Sequence, residues 1–194
     1  MQDKRIKLVA LGDSITAGFP YTPESSWFNL IAERLRIEHV NRGIDGDTTA
    51  GMLRRFNRDA LSFEPSHVII LGGTNDAYEG IAAEEVIYNI QAMVNLAVKR
   101  GVRPILGLPI TCDDPDVEYL LGRYRETIQC YAAENHIVGI DFTKAMADAN
   151  GKRIKAELYC DGVHPNKEGY QSMARVAGDV LGKLINLVGK EIKK

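Results

Sequence analysis

The amino-acid sequence predicts an α/β protein: a five-stranded parallel sheet with helices on both faces. Two patterns point to it. Short apolar runs alternate along the chain with longer stretches of helical periodicity, and that alternation builds a parallel sheet through crossover helices. The clearest apolar runs are continuous rather than alternating, as strands covered on both faces must be. The chain has 194 residues. It is read as one domain, 1–194, long enough to bury roughly 70 % of the unfolded surface without a disulfide or metal staple.

The elements follow in order. IKLVAL (6–11) reads as a buried strand. SWFNLIAERLR (26–36) places Trp27, Leu30, Ile31 and Leu35 at helical spacing behind a serine cap. HVNRGI (39–44) is a short second strand, and TTAGMLRRF (48–56) a helix opened by Thr48. HVIILGG (67–73) is the clearest strand of the chain. AEEVIYNIQAMVNLAVKR (83–100) is a long amphipathic helix with Gly101 just past its end. VRPILGLPI (102–110) is a strand in which Pro104 suits a near-edge or early position. VEYLLGRYRETIQCYAAEN (117–135) is helical despite Gly122. HIVGIDF (136–142) is the last strand, and NKEGYQSMARVAGDVLGKLINLVGK (166–190) the closing helix. The lysine-rich end GKEIKK reads as a solvated terminus.

Composition narrows the function. Charged residues make up 26 % and hydrophobic residues 45 %, as in an ordinary globular protein, and the formal net charge is −2. That balance gives no reason to expect nucleic acid or an anionic membrane as partner. The opening MQDKRIKLVALGD mimics a short signal peptide, but Lys7 and Asp13 cut its apolar stretch too short. No window approaches the ~18 apolar residues of a spanning helix. A cytoplasmic protein is expected. Cys112, Cys130 and Cys160 are an odd count with no C-x-x-C, which reads as free thiols.

Ligands in open α/β sheets bind beyond the carboxyl ends of the strands. Three predicted strands end in small polar motifs there: GDS, GIDGDTT and GGTND. Ser14 stands at the first of these ends, and a hydroxyl needs a base to act as a nucleophile. His39, His67 and His136 fall at strand starts, on the opposite rim, and read as boundary residues near the surface. His164 lies in YCDGVHPNKEG, a loop before the closing helix, three residues after Asp161. That spacing can fold the carboxylate back onto one ring nitrogen and leave the other to take the serine proton. Pro165 keeps His164 out of the helix, and Asn166 can cap it. Acyl transfer also needs donors for the developing oxyanion. Gly46 can supply a closely approached backbone N–H, and Asn75 a side-chain amide.

These blocks resemble the SGNH hydrolases, also called GDSL-type esterases and lipases. GDSIT matches the first block with its serine at Ser14. GIDGDTT matches the second with its glycine at Gly46. GGTND matches the third with its asparagine at Asn75, and DGVHP the last with Asp161 and His164. The resemblance implies a flavodoxin-like three-layer αβα sandwich with sheet order 2-1-3-4-5. It also implies an oxyanion hole from the Ser14 and Gly46 N–H groups and the Asn75 amide. Ile15 replaces the leucine of the family name, a volume-conserving change. Asp45 stands where many relatives carry a small residue, and an extra carboxylate there disfavours anionic substrates. The α/β-hydrolase elbow G-x-S-x-G is not met, because Thr16 stands in place of its second glycine.

The function expected is therefore a serine esterase acting on a small-molecule ester through an acyl-enzyme on Ser14, without metal or organic cofactor. Short-chain or acetyl esters are favoured, since no lipid-docking helix is evident. Carbohydrate acetyl esters, lysophospholipids, thioesters and transfer to an alcohol all fit. Candidate lids are FPYTPESS (19–26) and LPITCDDPDVEYLLGRY (108–124), with Pro109, Ile110, Tyr119 and Leu120 as candidate lining of an acyl slot. The alternative is a small flavin- or nucleotide-binding module, although neither G-x-x-x-x-G-K-[ST] nor a strand-following G-x-G-x-x-G occurs. A third reading, metal binding through DDPDVE (113–118), lacks the D-x-D-x-D-G pattern; those acids suit a helix start.

Overall fold

The computed structural model describes residues 6–148, 150 and 153–191. The first five residues of the signal-like opening and the last three of the lysine-rich end fall outside that range. Five strands form one parallel sheet: β1 (Lys7–Gly12), β2 (Glu38–Gly43), β3 (His67–Leu71), β4 (Arg103–Leu108) and β5 (Val138–Asp141). Their spatial order is 2-1-3-4-5. The helices are α1 (Ser14–Ala17), α2 (Trp27–Leu35), α3 (Thr49–Asp59), α4 (Thr74–Tyr78), α5 (Ala83–Lys99), α6 (Pro115–Glu134), α7 (Thr143–Met146) and α8 (Lys167–Glu191).

The period-two geometry of the strands divides the core. Val9 and Leu11 of β1, with Val68 and Ile70 of β3, face α3, α5 and α6. Leu8, Ala10, Ile69 and Leu71 face α2 and α8, where Trp27, Phe28, Tyr170 and Met173 are wholly buried. Except for α5, whose N-cap residue Ala82 offers no side-chain acceptor, each long helix starts where the sequence supplies an acceptor for orphan N–H groups. Ser26 accepts from Asn29 N–H at 3.3 Å to open α2, Thr48 from Gly51 N–H at 3.3 Å to open α3. Asp114 accepts from Asp116 and Val117 N–H to open α6. The predicted cap of α8 is present, with Asn166 accepting from Gly169 N–H at 3.0 Å.

Several local expectations shift. The short helices α1, α4 and α7 lie in stretches that carry too few residues to show a period. Pro104 is an early residue of β4, but β4 is interior, and β2 and β5 are the edges. Segment 108–124 is not a long loop, because α6 begins at Pro115. Its acids mainly serve that helix: Asp114 caps it, and Glu118 accepts from Cys112 N–H and pairs with Arg125. His67 is not near the surface. It is 3 % exposed beneath the start of β3, and burial, helped by the Arg103 charge, holds its pKa down to about 4.

The ends of β1 and β2 approach more closely than side chains allow. A Cβ on Gly12 would stand 2.3 Å from Thr16 Oγ1 and 2.6 Å from the Leu71 carbonyl. A Cβ on Gly43 would stand 2.1 Å from the backbone nitrogen of Ala17. The Asn41 amide fixes the same corner, donating to the Thr16 carbonyl at 2.7 Å and to Asn29 Oδ1 at 2.8 Å. The same substitution should therefore have opposite signs at two glycines. Gly43→Ala should lose about 3 kcal/mol in urea unfolding, because the obstructing atom is backbone. Gly122→Ala, inside α6 with only the Arg125 guanidinium at 3.7 Å, should gain roughly 0.5–1 kcal/mol.

Candidate active site

Ser14 begins α1 directly after β1, and the turn is built by Asp13. The Asp13 side chain accepts from Ile15 N–H at 3.0 Å and caps the helix. Gly18 closes α1 in the left-handed region at φ 103°. Ser14 is buried, and its Oγ lies 3.1 Å from Nε2 of His164. The opposite ring nitrogen, Nδ1, lies 2.8 Å from Asp161 Oδ2. A carboxylate only accepts, so the ring proton sits on Nδ1 and leaves Nε2 free to accept from the serine hydroxyl.

The histidine loop is held by the Asp161 side chain and by backbone hydrogen bonds. Asp161 Oδ1 accepts from His164 N–H at 2.7 Å and Val163 N–H at 3.0 Å. Gly162, at φ 81°, permits that fold-back. Cys160 N–H donates to the His164 carbonyl at 2.8 Å, and Asp113 N–H to the Gly162 carbonyl at 2.9 Å. Partial burial works to raise the Asp161 pKa. The His164 N–H, the imidazole and the Val163 N–H outweigh it and hold the carboxyl below its ordinary value.

The second and third blocks meet the first. Gly46 sits at the tip of the turn after β2 at φ 74°, and nothing lies within 4 Å of where its Cβ would stand. Glycine is required there for the backbone angle, and the space above it is open. Asn75, in the first turn of α4, donates one amide hydrogen to the Asp47 carbonyl at 2.9 Å. Asp76 secures the same junction, accepting from Thr49 N–H at 3.0 Å and Thr49 Oγ1 at 2.5 Å. A cleft of about 390 Å³ opens beside Gly46, walled by Asp76, Glu79, Glu85 and Arg54.

The structure thus brings Ser14, His164 and Asp161 into one relay, with Gly46 and Asn75 on the neighbouring strand ends. It does not bring the four expected slot residues together. Ile110 is 1 % exposed and packs in the α2/α8 core, whereas Leu120 packs on the opposite core and Tyr119 is 67 % exposed. Pro109 is buried beside Gly73. A different apolar residue, Phe19, borders the relay. The Phe19 ring lies 4.6 Å from the His164 ring, and its carbonyl is held by Tyr170 Oη at 2.7 Å. Phe19, Ile44 and Tyr78 are all exposed. Each falls within a few residues of a block, a signal available in the sequence but masked by the polar motifs. Cys112 is not a nucleophile at neutral pH, since burial pushes its thiol up to about 11. Among the described residues, no three His, Cys, Asp or Glu side chains are grouped to hold a metal ion. No helix among them is long and apolar enough to cross a membrane.

Fold and site together define a class: an open α/β sheet of flavodoxin type with a serine–histidine–aspartate relay on its carboxyl rim. Comparison with known proteins narrows the class. The chain belongs to the GDSL-like lipase/acylhydrolase family, whose model matches residues 10–172. A solved G-D-S-L family protein from Desulfitobacterium hafniense superposes with a TM-score of 0.85 at 34 % identity, covering 91 % of this chain and 99 % of that one. An arylesterase from Vibrio mimicus is 32 % identical over 106 residues, 52 % of each chain. The Bacillus subtilis lipoprotein YqeF is 34 % identical over 118 residues, 54 % of this chain and 47 % of that one. The chain therefore spans about half the length of these curated relatives.

Asp13, directly before Ser14, is a buried titratable group. Burial pushes its pKa up from 3.8 to about 7; the Ile15 N–H opposes, the Asp76 charge adds, and His164 and Thr74 oppose. The folded form then holds a proton that the unfolded chain has released, so this group subtracts stability as pH rises from about 4 to about 7. Asp13→Asn keeps the cap and cannot ionise. Thermal unfolding should show the wild type losing Tm between pH 5 and pH 8 more steeply than Asp13→Asn. Parallel curves would mean that Asp13 does not titrate in that interval.

Proposed function

We propose that this protein is a serine esterase that hydrolyses short-chain carboxylic esters through an acyl-enzyme on Ser14. The observation that carries the reading is the unbroken relay from Ser14 Oγ to His164 Nε2 at 3.1 Å and from His164 Nδ1 to Asp161 at 2.8 Å. Ser14 Oγ attacks the ester carbonyl carbon while Nε2 takes its proton. Asp161 orients the ring and stabilises the imidazolium. The tetrahedral oxyanion is held by the Ser14 and Gly46 N–H groups and by the second amide hydrogen of Asn75, the first being engaged by Asp47. The bond to the leaving alkoxide breaks, and Nε2 returns the proton to it. A water molecule then attacks the acyl-enzyme with His164 as base, releasing the acid and restoring the serine hydroxyl.

The surroundings support a short acyl group and an uncharged alcohol. Phe19, exposed and with its ring against that of His164, is apolar surface beside the relay suited to a small substrate part. Glu79 and Glu85 in the cleft beside Gly46, which outnumber its cation Arg54, and Asp45 exposed next to it, disfavour anionic substrates. The arylesterase relative is consistent with ester chemistry on this scaffold.

An aryl-ester series of rising acyl length, run on wild type and Ser14→Ala, tests both parts. Turnover should peak at the acetyl to butyryl esters and be lost in Ser14→Ala; wild-type turnover in that variant would rule the mechanism out. Asn75→Ala should lower kcat by about 10²–10³ while the protein stays folded by circular dichroism. A loss under tenfold would remove the amide from the oxyanion site.

A further inference from the structure

The strand ends that present the proposed oxyanion donors are joined by one buried guanidinium. Arg55 lies on α3, 7 % exposed, with its fork turned toward the sheet. Nε donates to Asp47 Oδ2 at 2.6 Å, Nη2 to the Gly12 carbonyl at 2.9 Å, and Nη1 to the Arg42 carbonyl at 2.9 Å. Nη1 also lies 3.4 Å from Asp59 Oδ2. Asp59 is shared with Arg42 at 2.9 Å and Arg58 at 2.8 Å, so the second carboxylate is itself held in place. The Arg58 side chain, followed by Arg42, holds the Asp59 carboxyl well below the ordinary range against the opposing effect of its burial.

Two of the acceptors of Arg55 lead to parts of the site. Gly12 is two residues before Ser14, and its carbonyl also accepts from Ile44 N–H at 3.0 Å, which ties the turn carrying Gly46 to β1. Asp47 follows Gly46, and its own carbonyl accepts the Asn75 amide at 2.9 Å. Asp47 Oδ1 occupies the place of a side chain on Gly51, since a Cβ there would stand 1.9 Å from it. The carboxylate is therefore clamped between the helix backbone and the guanidinium. A planar fork of five N–H donors can span two strand-end carbonyls and two carboxylates at once; a lysine ammonium is a single point with three donors and cannot.

We propose that Arg55 is a positioning residue for the oxyanion site, fixing the Gly46 N–H and the Asn75 amide relative to Ser14. This rests on the serine-esterase reading above. Arg55 touches neither substrate nor the relay. It acts by setting where Asp47 and Gly12 lie, and a displacement of about 1 Å in such a frame costs on the order of 10² in rate.

The test is Arg55→Lys, with Asp47→Asn attacking the same contact from the other side should the lysine variant not fold. Active sites are counted by titration with a fluorophosphonate, so that loss of folded protein is separated from loss of rate per site. Arg55→Lys should lower kcat per site by about 10- to 100-fold with KM within about twofold, and weaken a tetrahedral boronate inhibitor in step with kcat/KM. Asp47→Asn should show the same split with a smaller loss. In the Asn75→Ala background the effect of Arg55→Lys should shrink, because both act on one set of donors. Unchanged kcat per site in the folded variants, a loss carried by KM alone, or full additivity with Asn75→Ala would overturn the inference. Ser14→Ala, run in parallel, separates the two claims. If it retains turnover, the esterase reading itself fails. If it is inactive while the Arg55 and Asp47 variants match wild type per site, only the inference fails.

Discussion

The site depends on how closely the carboxyl ends of β1 and β2 come together. Gly12 and Gly43 are paired in register, and each meets backbone or side-chain atoms where a Cβ would stand. That approach lets α1 lie against β2 and brings the turn carrying Gly46 beside the start of α1. The sheet order then does the rest. With β1 between β2 and β3, the chain leaves the sheet on either side of β1 at one rim. Such a switch point opens a crevice. Ser14, Gly46 and Asn75 follow three adjacent strands into it.

Two kinds of buried charge surround the crevice, and they are handled differently. Arg55 and Asp59 are both almost fully buried, and each is satisfied several times over. Removing both would remove a desolvation cost, whereas removing one would strand the other. Asp13 has no such partner ion. Its Oδ1 caps α1, while Oδ2 is sealed from solvent without an ordinary hydrogen bond. The charged form is therefore disfavoured just behind Ser14.

Much of the architecture was legible because it follows from periodicity. Continuous apolar runs such as HVIIL and long helical patterns such as 83–99 carry their own signal, and all ten predicted elements lie within a few residues of their observed bounds. The histidine loop was legible for a related reason. Asp161 and His164 are three residues apart, so local chain geometry alone can pair them. The acyl slot was not legible. Pro109, Ile110, Tyr119 and Leu120 are adjacent in sequence or on one helix, but one turn sends Ile110 into the α2/α8 core and leaves Tyr119 in solvent. Phe19 was assigned to a lid segment, yet only folding shows its ring against His164. Nothing local in the sequence sets Arg55 apart from Arg54, yet folding buries the first and leaves the second exposed.

By itself the amino-acid sequence determined which residues could do chemistry and on which rim of the sheet they would stand. Both are local properties: residue type, short spacing, and the hydrophobic period that sets strand and helix. Only the tertiary structure decided how far apart those groups sit and what holds them. The 3.1 Å contact between Ser14 and His164 joins residues 150 positions apart, and the Arg55 fork joins two strand ends to a helix. Distances of that kind are set by close packing of separate elements, where one backbone contact at Gly43 outweighs any local preference.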